Sequence, residues 1–137
     1  MKREPEALPE EIIGVLSSYF SDFDLDRVRV SEGIPFYVRG NPVGYADRYR
    51  IYLEPGAYRV DTIEGIALLA HEVVHCRQYR RLGAWRFRYR YLLSYFKNRL
   101  RGMSRKEAYL NVPFEIEARE IEAQVYLALK RVQDELG

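Results

Sequence analysis

The sequence predicts an α+β fold in which a small antiparallel sheet packs against one long, buried helix, with further helices around the pair. Three short β-type runs, RVRV, PFYV and YRIYL, crowd between Arg27 and Leu53, separated by turn signals. From Asp61 onward the pattern changes to helical periodicities that continue almost to the C-terminus. The 137 residues, 47% of them hydrophobic, suffice for one core, so a single domain over residues 1–137 is expected.

The first element is an amphipathic helix from Leu8 to Phe20, with Ile12, Ile13, Val15, Leu16 and Phe20 at helical spacing and the acidic turn SDFDLD ending it. The strands follow, bounded by Glu32-Gly33, Gly40-Asn41-Pro42 and Pro55-Gly56. In YRIYL, Tyr49, Ile51 and Leu53 share one face while Arg48, Arg50 and Tyr52 share the other, the alternation of a strand covered on one side.

Asp61 or Thr62 caps the next helix, which runs to Leu82 and stops at Gly83. Ile63, Ile66, Ala67, Ala70 and Val74 form one stripe, but Leu68, Leu69 and Val73 lie outside it, so this helix is apolar nearly all round and buried. The segment AWRFRYRYLLSYFKNRL alternates like a strand, yet Trp85, Tyr89, Leu92 and Phe96 also fall at helical spacing; its length favours a helix. Ser104 opens a short helix with Glu107 at the capping-box position. After Pro113 a last helix reaches Leu136 with Phe114, Ala118, Ile121, Val125, Ala128 and Val132 as its buried stripe.

The net charge of +2 hides an uneven distribution, since eleven of the 22 Lys and Arg lie between Arg77 and Lys106, where there is no Asp or Glu. Such a stretch attracts acidic partners, nucleic acid or an anionic membrane surface among them, unless its charges pair with acidic neighbours in the fold. No apolar run reaches the ~18 residues of a membrane span, and MKREPEALPEE lacks the apolar core of a secretion signal. A cytoplasmic location is expected. The single cysteine, Cys76, excludes an internal disulfide and a multi-cysteine site, so a metal would have to use His and carboxylates.

His71-Glu72-Val73-Val74-His75 is an H-E-x-x-H pattern on the buried helix, and its two histidines are the only ones in the chain. Residues four apart lie about 40° apart around a helix, so both imidazoles reach one metal ion from the same side. Zn2+ held by three protein ligands keeps a position for water and lowers its pKa from near 16 to ~7, within reach of Glu72 as general base and then acid. Glu115, Glu117, Glu120 and Glu122 in NVPFEIEAREIEA are candidates for the third ligand. Glu120 faces away from the buried stripe, while helical geometry leaves Glu115 and Glu117 both open.

LLAHEVVHCRQYRRLG, followed by NVPFEIEA, resembles the gluzincin-type zincin metallopeptidases. More narrowly it is similar to minimal bacterial HExxH domains of unknown function, sometimes found in association with contractile injection systems. These share a His-Glu-x-x-His-x-x-Gln-Tyr helix and a later Asn-x-Pro-x-Glu-x-Glu-Ala motif, a likeness spanning about Ile51 to Ala123. It implies a minimal zincin-like fold with His71, His75 and Glu115 as zinc ligands and Glu72 as the catalytic carboxylate. Relatives often carry Asp or Asn where this chain has Arg119, so Glu122 or Asn111 is expected to replace it as an imidazole acceptor. Tyr109 is a candidate to stabilise an oxyanion.

Three functions compete. The first is a zinc endopeptidase that takes a peptide or protein substrate along an exposed sheet edge, the YRIYL strand being the expected one. The second is a catalytically silent zinc-binding protein. The third is a nucleic-acid-binding module using the basic and aromatic stretch 77–106.

Overall fold

β1 (Glu6–Ala7), α1 (Glu10–Leu16), β2 (Arg29–Glu32), β3 (Gly44–Asp47), β4 (Arg50–Leu53), α2 (Ile63–Leu82), α3 (Ala84–Leu100), α4 (Arg105–Leu110) and α5 (Pro113–Leu136) follow one another in the computed structural model. It describes residues 4–38, 40 and 42–137. Met1 to Arg3 of the N-terminal stretch and Asn41 of the expected turn lie outside the described residues. The α+β class expected from the sequence is the one observed.

The sheet has the order β1-β2-β4-β3 and is mixed rather than wholly antiparallel. β1 pairs antiparallel with β2 and β3 antiparallel with β4, but β2 and β4 run parallel, with Val30 opposite Ile51. The chain lays down the edge strand β3 first. It then turns back through Arg48 and Tyr49, with Arg48 at φ 58°, and inserts β4 between β3 and β2. The YRIYL run is thus an inner strand, and the edge strands are β3 on its side of the sheet and the two-residue β1 on the other.

PFYV forms a turn instead of a strand, with Phe36 almost fully exposed. Its place is taken by Gly44–Asp47, a run whose composition does not announce a strand. β2 begins two residues later than RVRV, after a 3-10 turn at Leu25–Arg27. α1 covers only the middle of the expected helix, although Leu8, Ile12, Leu16 and Phe20 are all buried as their spacing predicts.

α2 lies between two layers, which is why it is apolar on nearly every side. Val30, Ala46, Ile51 and Leu53 of the sheet pack with Leu16 and Phe20 against Leu69, Ala70, Val73, Val74 and Cys76 of α2. α5 covers the other side with Ala118 and Val125, helped by Ile121 and Leu129. Each fully buried Leu or Ile here contributes ~1.5–3 kcal/mol of apolar transfer. Thr62 caps α2 by accepting from Gly65 N at 3.0 Å. Gly83, at φ 83°, a conformation that a side chain disfavours, ends α2 and begins α3.

α3 is a helix, as its length predicts, but it packs through Phe87, Tyr91 and Tyr95 and turns Trp85, Tyr89, Leu92 and Phe96 outward. Ser104 and Glu107 form a complete capping box on α4. On α5 the stripe is buried as far as Val125, while Ala128 and Val132 are exposed. No helix among the described residues is long and apolar enough to cross a membrane.

Candidate metal centre

His71 and His75 project from the middle of α2, and the first turn of α5 brings Glu115 against them, all three side chains being buried. The imidazole Nε2 atoms lie 3.2 Å (His71) and 3.0 Å (His75) from the same oxygen, Glu115 Oε1. Each ring is held from behind. His71 Nδ1 donates to Glu122 Oε1 at 2.8 Å, and His75 Nδ1 donates to Gln78 Oε1 at 2.7 Å. Gln78 Nε2 in turn donates to Phe114 O at 3.0 Å, which fixes which end of the amide faces the ring.

The tautomers follow from these partners. With protons on both Nδ1 atoms, neutral imidazoles present lone pairs at Nε2. Two nitrogen lone pairs and a carboxylate oxygen then converge with no donor among them, an arrangement that repels itself unless a cation lies between. Two protons or one metal ion satisfy it. Charge preferences agree: burial alone would lower the His71 pKa, but its bonds to Glu115 and Glu122 hold it up at about 10. His75 is raised likewise, against burial, by its bond to Glu115. Burial would raise Glu115, yet the bonds from His71 and His75 keep it well below the ordinary carboxylate range. His71, His75 and Glu115 can thus hold a metal ion.

Glu72 is buried and its Oε2 has no hydrogen-bond partner among the described residues. Burial raises its pKa, against the pull of His75 and His71. Its carboxylate lies against the backbone of β3, where a Cβ on Gly44 would come within 2.9 Å of Glu72 Oε1. A cleft of about 430 Å³ opens over Glu72, His75 and Glu115. Gly44, Tyr45 and Ala46 wall it on one side, Phe87, Tyr91 and Leu92 on the other, and Tyr109 also lines it.

β3 offers this cleft backbone groups that have no partner among the described residues. Glu54 N donates to Val43 O at 2.9 Å, so in the alternating antiparallel ladder Val43, Tyr45 and Asp47 face β4, and Gly44 and Ala46 point their N–H and C=O outward.

Of the carboxylates weighed from the sequence, Glu115 meets both imidazoles and Glu117 does not. Glu117 lies 3.5 Å from Arg77 and 3.5 Å from Gln78. Glu122 serves as an imidazole acceptor, whereas Asn111 donates to Glu107 O and closes the end of α4. Arg119 donates to Leu110 O. Two contributors carry roles that no expectation assigned, although Gln78 stands within the His-Glu-x-x-His-x-x-Gln-Tyr pattern of the resemblance. Gln78 stands three residues after His75 on the same helix face, and Tyr91, one of twelve tyrosines, donates to Glu115 Oε2.

A family model described as the eCIS core domain matches residues 7–83. The matched segment runs from β1 through α2, includes His71, Glu72 and His75, and ends before Glu115. No curated protein and no solved structure matches the chain.

Proposed function

The chain belongs to the eCIS core domain family, and we propose that within it this protein is a zinc-dependent metallopeptidase of the gluzincin type. The observation that carries the reading is the convergence of His71 Nε2, His75 Nε2 and Glu115 Oε1 on one point, each ring already committed through Nδ1. Two nitrogens and one carboxylate oxygen form a donor set suited to Zn2+. When bound, zinc supplies Lewis acidity, polarising a carbonyl oxygen and acidifying a water.

The remaining roles fall to the chain's own groups. Glu72, buried at the edge of the cleft with an unpartnered oxygen and a raised pKa, takes a proton from the attacking water and returns it to the departing amine. Gly44 and Ala46 pair with an extended peptide and lay it along β3. Backbone pairing of this kind selects extended, unfolded segments with little regard to sequence. A silent zinc site has no use for Glu72, since burying a carboxyl group with an unpartnered oxygen costs at least ~2 kcal/mol and the pull of His75 and His71 only partly offsets it.

The test compares wild type with His71→Ala, Glu115→Ala and Glu72→Gln for zinc per chain and for hydrolysis of an unfolded protein. One zinc per chain is expected in wild type and Glu72→Gln and none in the other two, with hydrolysis in wild type alone. Equal hydrolysis by wild type and Glu72→Gln removes the enzyme assignment, and full zinc in Glu115→Ala removes the ligand set.

A further inference from the structure

α3 carries two apolar faces, and the fold uses one. At about 100° per residue, Phe87, Tyr91 and Tyr95 fall on the side packed against the body. Trp85, Tyr89, Leu92, Phe96 and Leu100 fall on the opposite side. The outer residues are open to solvent, Trp85 at 89% and Leu100 at 88% exposure. They form a ridge along the 17 residues of the helix, about 25 Å long. Arg86, Arg90, Lys97 and Arg101 line one flank of the ridge, and Arg88 and Arg99 line the other. Among the described residues only Arg88 of these six has a carboxylate partner, Asp47. A contiguous apolar surface of this extent, rimmed by unpaired charge, marks an interaction site.

Next to the ridge lies a dimple of about 240 Å³ between α3 and the start of α5, lined by Leu93 of the outer side together with Arg90, Ser94 and Lys97. Two unpaired cations and a hydroxyl around a small hollow suit a phosphate group.

We propose that the outer face of α3 docks on an anionic phospholipid surface. The ridge side chains enter the boundary between headgroups and acyl chains, and Arg90, Ser94 and Lys97 take up a lipid phosphate in the dimple. The shape selects a lipid, because a convex ridge sinks into a yielding surface, whereas a protein would have to supply a matching groove. The charge excludes a second copy, since two such faces would set arginine against arginine. Nucleic acid satisfies the cations and stacks on the aromatic rings, but it gives Leu92, Leu93 and Leu100 nothing to bury against.

Trp85 is the only tryptophan, so its fluorescence reports on this face alone. The full chain is titrated with phosphatidylcholine vesicles and with vesicles containing about one third phosphatidylglycerol. The expected result is a blue shift and quenching by brominated lipid with the anionic vesicles only. Phe96→Glu and Leu100→Glu should abolish the shift. Arg90→Gln and Lys97→Gln should each weaken binding about fivefold. All four positions are solvent-facing or at the rim of the dimple, and a thermal melt matching wild type shows that the fold is kept. No shift with anionic vesicles, an equal shift with neutral ones, wild-type binding by Phe96→Glu, or binding to a short DNA duplex without binding to vesicles would each overturn the proposal.

Discussion

Tyr91 donates a 2.7 Å hydrogen bond to Glu115 Oε2, the carboxylate oxygen that the two imidazoles leave alone. Burial, with the Glu115 charge beside it, pushes the phenol pKa well above its usual value, so the hydroxyl stays a donor. The bond therefore holds Glu115 Oε1 toward His71 and His75. A neutral donor on a charged acceptor is worth ~1.5–3 kcal/mol. Tyr91→Phe is accordingly expected to weaken zinc binding by at least about tenfold, read by competition with a fluorescent chelator. Unchanged affinity would show that Glu115 is held without Tyr91.

The groups behind the imidazoles make a second prediction. Glu122→Ala and Gln78→Ala each remove the acceptor of one Nδ1 proton, a loss that typically costs about 10–100-fold in metal affinity. Glu117→Ala, five residues before Glu122 on α5 but directed at Arg77, should leave affinity within about twofold. The same chelator competition ranks all three.

A substitution at Gly44 should separate metal binding from the proposed turnover. A methyl group there collides with the Glu72 carboxylate and with Leu53 Cδ2, 3.0 Å away. Gly44→Ala is expected to keep one zinc per chain and to lose most hydrolysis, on the order of 10–100-fold, because the carboxylate must move while the ligands do not. Loss of zinc together with activity would mean that the strand itself had shifted.

Metal should also stabilise the fold. Zinc at a hundredfold excess over its Kd adds ~2.7 kcal/mol, on the order of 10 °C in Tm for a domain of this size, reversed by a chelator and absent in Glu115→Ala. Cys76, 1% exposed among core side chains, should resist a thiol reagent in the native protein and react fully after unfolding. Rapid native labelling would contradict the packing of α2.

How much of this was legible in the sequence depends on how local the signal is. The α2 cap at Thr62, the stop at Gly83 and the capping box at Ser104 are written within a few residues and were found in place. The spacing of His71, Glu72 and His75 is equally local, and it put both rings on one side of one helix. The alternation in WRFRYRYL misleads for a physical reason: on a helix, residues two apart fall about 200° apart. Trp85 and Tyr89 thus go outward while Phe87 and Tyr91 go inward, and a helix with two apolar faces imitates a strand.

Sheet order is not local at all. Gly44–Asp47 becomes a strand because β4 folds back beside it, and β4 meets β2 in parallel across a separation that no short pattern encodes. Glu115 was reachable only through resemblance, since Glu115 and Glu117 flank the buried stripe of α5 from its two sides and the pattern does not say which side meets the imidazoles. In the fold Glu115 is the one that meets both rings, while Glu117 lies against Arg77 and Gln78.

His75 and Glu115 stand 40 residues apart in the chain, and between them lie the end of α2 and the whole of α3 and α4. An ion gripped by both is a clasp that closes this stretch into a ring, taking freedom from the unfolded chain as a cross-link does. Opening the clasp leaves β4, α1 and the sheet side of α2 with their own packing, while α3 and α4 stay tied to the body by fewer buried side chains. Amide exchange on removal of the ion should therefore quicken first in the ring and last in the strands.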